Sequence, residues 1–288
     1  MIKICIPYHS TRELRNKTKM GASRISNCFK QLKQRNLKAL IPYVTAGDPE
    51  KELTVQLLHS LVETGADLIE LGVPFSDPIA DGPVIQRASE RALAQGVNLE
   101  QCLDIVKEFR VDNQNTPVVL MGYMNPIENY GWTKFARKAD NVGVDGVLLV
   151  DCPPEESSRF LGELRRCGID CIFLVAPTTP KQRLEKILTE ASGYIYYVSL
   201  RGVTGANNIN SKDVSSKLNT IKEFTNLPVV VGFGISSKKS VSEIAKTSAD
   251  GIVVGSALIK AMEQAKEKDL CPIDTVKNQM SVLRSGLL

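Results

Sequence analysis

From about Leu40 onward the chain alternates short apolar runs with amphipathic stretches, and most runs stop at Gly, Pro, Asp or Asn. Eight runs read as strands: residues 40–44, 68–71, 118–121, 146–150, 171–175, 194–198, 229–232 and 251–254. Between them, apolar residues recur at helical spacing, as in 52–62, 99–109, 157–167, 183–191, 214–224 and 241–246. Strand, helix, strand in succession means parallel pairing, because a parallel neighbour is reached only by a crossover long enough to hold a helix. Eight such units close into a barrel more naturally than they spread into an open doubly wound sheet, and no GxGxxG follows the first strand. The predicted fold is therefore α/β, a single (β/α)8 TIM barrel.

Two segments depart from the rhythm. Before the first strand, residues 25–34 carry apolar positions at helical spacing, and this extra N-terminal helix is expected to cap the bottom of the barrel. After the second strand the interval is far longer than the others. Its segment 73–95 holds PFSDPIADGP and an additional helix. A long loop at the carboxyl end of a barrel strand is where such enzymes place catalytic parts. The expected organisation is a flexible N-terminal extension over residues 1–21 and one catalytic barrel over 22–288.

Composition narrows the chemistry. Apolar residues at 43% and charged residues at 24% are ordinary for a globular domain, and no stretch reaches the ~20 apolar residues of a membrane span. The net charge of +4 is spread along the chain, apart from Arg12, Arg15, Lys17, Lys19 and Arg24, so nucleic acid is not implied. That basic segment lacks the apolar run of a secretory signal and reads as an extension rather than a targeting peptide. Met20 directly after it offers an internal start as a further reading. Seven cysteines with no CxxC pair read as reduced thiols of a soluble, cytoplasmic protein. The two histidines, His9 and His59, are too few for a histidine triad or a histidine metal site, so no metal is expected and carboxylates must carry acid–base work.

Glu70 stands in LIELG, inside a strand with apolar neighbours. Burial disfavours its charged form and pushes its pKa toward neutrality, where an acid both gives and takes a proton. The bland alternative is a structural glutamate paired with a buried cation, and the neighbouring strands supply no obvious one. Asp77 reads as a turn residue. For Asp81, which precedes a Gly-Pro, a turn and a functional role both stay open. At the ends of the last three strands stand GVTG (202–205), GFGIS (232–236) and GSA (255–257). Each alone is an ordinary turn, but together they suit a phosphate: glycines let backbone N–H groups converge on it, and a helix starting at Ser256 aims its positive end there. Tyr43, Tyr123, Tyr196 and Phe233, with Met121, Leu148, Val150 and Leu174, recur at the same end of the strands and would suit a flat apolar ligand, although each singly is equally core packing.

The phrase LIELGVPFSDPIADGP closely resembles the signature of the tryptophan synthase alpha subunit family. PYVTAGDP, GYMNPI, VDCPPEES, APTT, YYVSLRGVTG, VGFGIS and VVGSAL stand in family order, so the resemblance runs from about Ile25 to the C-terminus. It implies a carbon–carbon lyase that cleaves indole-3-glycerol phosphate to indole and glyceraldehyde 3-phosphate in tryptophan biosynthesis, with no metal or cofactor in this chain. By motif, Glu70 matches the general acid and base, and Asp81 the carboxylate that stabilises positive charge on the indole nitrogen. Gly205, Gly232, Gly234, Gly255 and Ser256 match the phosphate side, and Thr204 the loop threonine that closes over the site and engages Asp81. Tyr43, Met121, Tyr123, Leu148, Val150, Leu174, Tyr196 and Phe233 fall at pocket-lining positions. Tyr43 stands where many members carry Phe, and Leu200-Arg201 precede GVTG where others differ; both departures bear on loop closure rather than catalysis. The implied partner is a beta subunit, carrying pyridoxal phosphate, in an alpha2-beta2 complex. Its contact face would include GYMNPI, VDCPPEES and the Asp81 loop.

Three other readings compete. A free-standing lyase of the same fold would release indole without a beta subunit. A non-catalytic sugar-phosphate-binding barrel is opposed by the presence of both Glu70 and Asp81. An isomerase or synthase on the same phosphate site would need other catalytic groups on the early strands.

Overall fold

The structure, a computed structural model, describes residues 23–199, 211–232 and 234–287. The expected extension over residues 1–21 lies outside them, as do Thr204, Gly205 and Phe233. After helix α1 (Arg24–Gln34) the strands are β1 (Ala39–Thr45), β2 (Ile69–Gly72), β3 (Val118–Gly122), β4 (Gly146–Leu149), β5 (Asp170–Val175), β6 (Ile195–Val198), β7 (Val229–Gly232) and β8 (Gly251–Val254). All pair in parallel in sequence order, and β1 pairs with β8 to close the ring. Helices α2 (Thr54–Glu63), α3 (Pro83–Ala94), α4 (Leu99–Asp112), α5 (Met124–Tyr130), α6 (Trp132–Val142), α7 (Ser158–Cys167), α8 (Lys181–Glu190), α9 (Ser211–Lys222), α10 (Lys238–Ala245), α11 (Ser256–Glu267) and α12 (Pro272–Arg284) occupy the crossovers and the C-terminal end of the chain. Every strand is covered by helices outside and by side chains inside, which is why the strands are continuous apolar runs without alternation.

Element ends follow local chemistry. Helix α10 begins at Lys238, ahead of the predicted 241, because Ser237 and Ser240 cap each other's backbone N–H groups. Between β3 and β4 the chain makes two helices that the sequence reading did not name. Gly131 divides them at φ 91°, a backbone region open to glycine. The insertion after β2 is an irregular loop followed by α3, which starts at Pro83, where a missing N–H is harmless.

The predicted N-terminal helix closes the barrel bottom. Ser23 caps it and also donates to Asp170 (2.9 Å), Arg24 pairs with Asp145 (2.8 Å), and buried Phe29 packs on Tyr194 with ring centroids 5.8 Å apart. At this end a regular device ties strands together: a polar residue just before each even strand accepts an N–H from the odd strand preceding it. Asp67 takes Leu40 N–H, Asp145 Val118 N–H, Ser192 Cys171 N–H and Asp250 Val229 N–H, at 2.8, 2.8, 2.9 and 2.8 Å. The N–H groups answered in this way are the first of β3 and β7 and the second of β1 and β5, and a buried N–H without an acceptor is costly.

Among the described residues, six cysteines are free thiols, with Cys271 exposed; no helix is long and apolar enough to cross a membrane, and no cluster of His, Cys, Asp and Glu is arranged to hold a metal ion.

Candidate active site

Side chains alternate along a strand, so Val147 and Leu149, which meet Ile127 and Phe135 of the helical layer, set Leu148 and Val150 toward the lumen. Equivalent alternation puts Glu70 inward on β2. Strands β2 and β6 lie opposite each other in the ring. Tyr194, just before β6, reaches across and donates its hydroxyl to Glu70 Oε1 at 2.6 Å. Glu70 is 0% exposed, and its other oxygen, Oε2, is buried with no hydrogen-bond partner among the described residues. Burial pushes the carboxyl up to about 7, against the opposing pull of the Tyr194 hydroxyl bond. No cation forms an ion pair with it among the described residues, so none of these makes it a paired structural glutamate.

Asp81 arrives from the insertion. Its N–H donates to Pro78 O (3.0 Å), and Gln86 on α3 donates to Asp81 O (2.9 Å), which pins the loop. The Tyr123 hydroxyl, at the end of β3, donates to Asp81 Oδ2 (3.0 Å) and accepts Ala80 N–H (3.0 Å). Burial raises the Asp81 carboxyl above its ordinary value, and the Tyr123 bond works against that rise. Asp77, by contrast, is exposed and accepts from Ser76 and Ile79 N–H, as a turn residue does.

A cavity of about 370 Å³ opens at the carboxyl ends of the strands and brings together Glu70, Asp81, Tyr43, Met121, Tyr196, Gly234, Gly255 and Ser256. Two tyrosines form its inner wall because glycines make room for them. A Cβ on Gly72 would lie 2.1 Å from the Tyr43 hydroxyl oxygen, and one on Gly232 2.0 Å from that of Tyr196. Gly232 thus serves the cavity by admitting Tyr196, and its carbonyl accepts from Ser199 N–H and Oγ–H. On the far side, Gly234 turns at φ 73° and helix α11 begins at Ser256, without a side-chain cap, so its first N–H groups point into the cavity end. Arg91 of α3 binds both Asp48 oxygens (2.7 and 3.0 Å) and reaches Glu263 of α11 (2.6 Å), tying the helix behind Asp81 to the helix that starts at Ser256.

Of the lumen residues expected to line a pocket, Tyr43, Met121 and Tyr196 do so directly. Leu148 belongs to the hydrophobic core, Val150 and Leu174 pack against it, and Tyr123 acts through Asp81. The sequence reading missed Tyr194, although it stands two residues before Tyr196 and therefore on the same strand face. It also missed Val84, Ile85 and Lys260, which the helices deliver to the cavity.

Comparison with known proteins bears on the same residues. A family model described as tryptophan synthase alpha chain matches residues 29–285. The tryptophan synthase alpha chains of Polynucleobacter necessarius and Chromobacterium violaceum are each 56% identical over 243 residues, covering 84% of this chain and 91% and 92% of theirs. The crystal structure of tryptophan synthase subunit alpha from Legionella pneumophila superposes with a TM-score of 0.86 at 42% identity, over 93% of this chain and 99% of that one. A chain of tryptophan synthase from M. tuberculosis in its aminoacrylate-bound form gives 0.82 at 32%, over 93% and 100%. By the match of nearly the whole barrel to the family model, and by identity far above what a shared fold alone produces, the chain belongs to the tryptophan synthase alpha chain family.

Proposed function

We propose that Glu70 is the acid and base, and Asp81 the charge-stabilising anion, of the reaction that family membership assigns to the chain. That reaction is cleavage of indole-3-glycerol phosphate to indole and glyceraldehyde 3-phosphate, with the indole passed on to a beta subunit. The bond to break joins indole C3 to a carbinol carbon, and its electrons need somewhere to go. Protonation of C3 by the Glu70 carboxylic acid turns the ring into a cation centred on the nitrogen. Loss of the carbinol hydroxyl proton then forms the aldehyde, and the bonding electrons return to the ring as indole. The proton that Glu70 gives up is matched by the one it accepts, so the group ends as it began.

The observation that carries this reading is Oε2 of Glu70: buried in the cavity, without a hydrogen bond among the described residues, and part of a carboxyl pushed up to about 7, where both forms are populated. Oε1 is fixed by Tyr194, so one oxygen is aimed while the other is free for proton transfer. Asp81, held by Tyr123, provides a fixed anion for the ring nitrogen as it becomes positive. Tyr43, Met121 and Tyr196 supply apolar walls for a flat ring. Gly234, Gly255 and Ser256 supply backbone N–H groups and a helix start for the phosphate. By family resemblance Gly205 belongs with the phosphate side, Thr204 with the loop that engages Asp81 and Phe233 with the pocket lining; all three lie outside the described residues.

The beta subunit is read as docking on the same face, in an alpha2-beta2 complex whose pyridoxal phosphate belongs to the partner. Ile79, 87% exposed on the Asp81 loop, gives that face an apolar side chain for a partner to cover. Free thiols in the described part of the chain fit a reducing cytoplasm.

The test is indole release from indole-3-glycerol phosphate by the purified chain, with and without beta subunit. Slow release alone, accelerated by the partner, and a loss of about tenfold or more in Asp81→Asn are expected, since one such electrostatic group contributes on that order. A full rate without partner would make the chain a free-standing lyase, and an unchanged Asp81→Asn would remove Asp81 from the mechanism.

A further inference from the structure

We propose that Lys260 is the charge that makes the phosphate end of the cavity select a dianion, an inference that rests on reading Gly234, Gly255 and Ser256 as the phosphate side. Among the described residues, those at that end are otherwise neutral: Gly234, Ile235, Ser236, Gly255, Ser256 and Ala257. Meanwhile Glu70 and Asp81 line the same cavity. A phosphate dianion therefore enters a space whose acidic groups repel it, and neutral dipoles act against that field. A helix start supplies roughly half a positive charge. Something must balance the remainder.

Among the described residues, Lys260 is the only lysine or arginine that lines the cavity. It stands four positions after Ser256 on α11, one turn along the same face. Helical side chains lean back toward the N-terminus, so its ammonium is directed to the turn that begins at Ser256 rather than away from it. Lys260 is exposed and makes no ion pair or hydrogen bond with another described residue. Further along α11 the comparison is clear: Glu263 is bound by Arg87 and Arg91, and Lys266 by Glu50. Of these charged residues of α11, the one at the cavity is left uncommitted among the described residues.

The expected function is recognition of charge, not participation in bond breaking. In Lys260→Gln, KM for indole-3-glycerol phosphate and the inhibition constant of sn-glycerol 3-phosphate should both rise about three- to tenfold, the range for an exposed charge-assisted contact, with kcat within about twofold. Lys260→Arg should restore both. Raising ionic strength should weaken glycerol-phosphate binding to the wild type and leave the Lys260→Gln value nearly flat, because screening acts on the charge that was removed. Calorimetric binding of sn-glycerol 3-phosphate gives the same comparison without turnover. Unchanged binding in Lys260→Gln would overturn the proposal. So would a fall in kcat at constant KM, which would assign the lysine to Asp81 instead. If the wild type binds glycerol phosphate but does not cleave indole-3-glycerol phosphate, the reading of the reaction fails while that of Lys260 still stands or falls by the binding data.

Discussion

The bottom of this barrel and the cavity at its top treat carboxylates in opposite ways. At the bottom, Asp67, Asp145 and Asp250 each accept a strand N–H and each meet a cation: Arg284 at 2.7 Å, Arg24 and Arg110 at 2.8 and 2.7 Å, and Lys222 at 2.7 Å. At the top, Glu70 and Asp81 each have a tyrosine hydroxyl and, among the described residues, no cation. A wider groove of about 780 Å³ in fact opens at the bottom, but the aspartates lining it, Asp170 and Asp250, are already engaged by Ser23 and Lys222. Size alone does not mark a reactive site. A carboxylate with all its lone pairs answered is held in one state, and one left in a dry cavity without a counter-charge is poised between two.

The sharpest way to break this comparison is Glu70→Gln. It should cut cleavage by about a thousandfold, within the range for loss of a general acid–base group, while the barrel stays folded by circular dichroism. A rate near wild type would end the distinction between the two ends. Asp145→Ala should do the reverse. It strands the buried Arg110 guanidinium and the Val118 N–H, so urea unfolding should show a loss of about 3–5 kcal/mol with kcat unchanged. A kcat that fell with stability would mean that the bottom is not insulated from the chemistry.

Stability should also depend on pH through Glu70. Below its ordinary value of 4.5 the group is neutral whether the chain is folded or not. Between 4.5 and about 7 only the unfolded chain ionises, so stability falls as pH rises; above about 7 the folded chain ionises too and the loss levels off. Relative to wild type, Glu70→Gln should therefore gain on the order of 3 kcal/mol between acid and alkaline solution, read from unfolding curves at several pH values. A wild-type curve parallel to that of the variant would show that the carboxyl is not raised. The smallest effect belongs to Tyr194→Phe. Without the donor the Glu70 carboxyl rises further, so the pH optimum of cleavage should move upward and the rate at neutral pH should fall about threefold, as for a single hydrogen bond. An optimum that stayed in place would reduce Tyr194 to packing.

Much of the scaffold was already written in apolar periodicity. The eight strands, the helix under the barrel and the insertion after β2 all follow from it, because parallel barrel strands are buried on both faces and their helices on one. Glu70 was visible as a charge in an apolar run and the late glycines as turns, since both are local properties of the chain. What local pattern does not carry is who faces whom across the lumen. Tyr194 bonds to a residue 124 positions away, and Tyr123 steadies an aspartate 42 positions away. Lys260 reaches the cavity only because α11 starts at its rim. The order of apolar and polar residues determined the barrel and put an acid inside it. Closure of the ring alone decided that this acid would have a hydroxyl on one oxygen and, among the described residues, nothing on the other and no paired cation, because such partners come from strands and helices that meet only when β8 returns to β1.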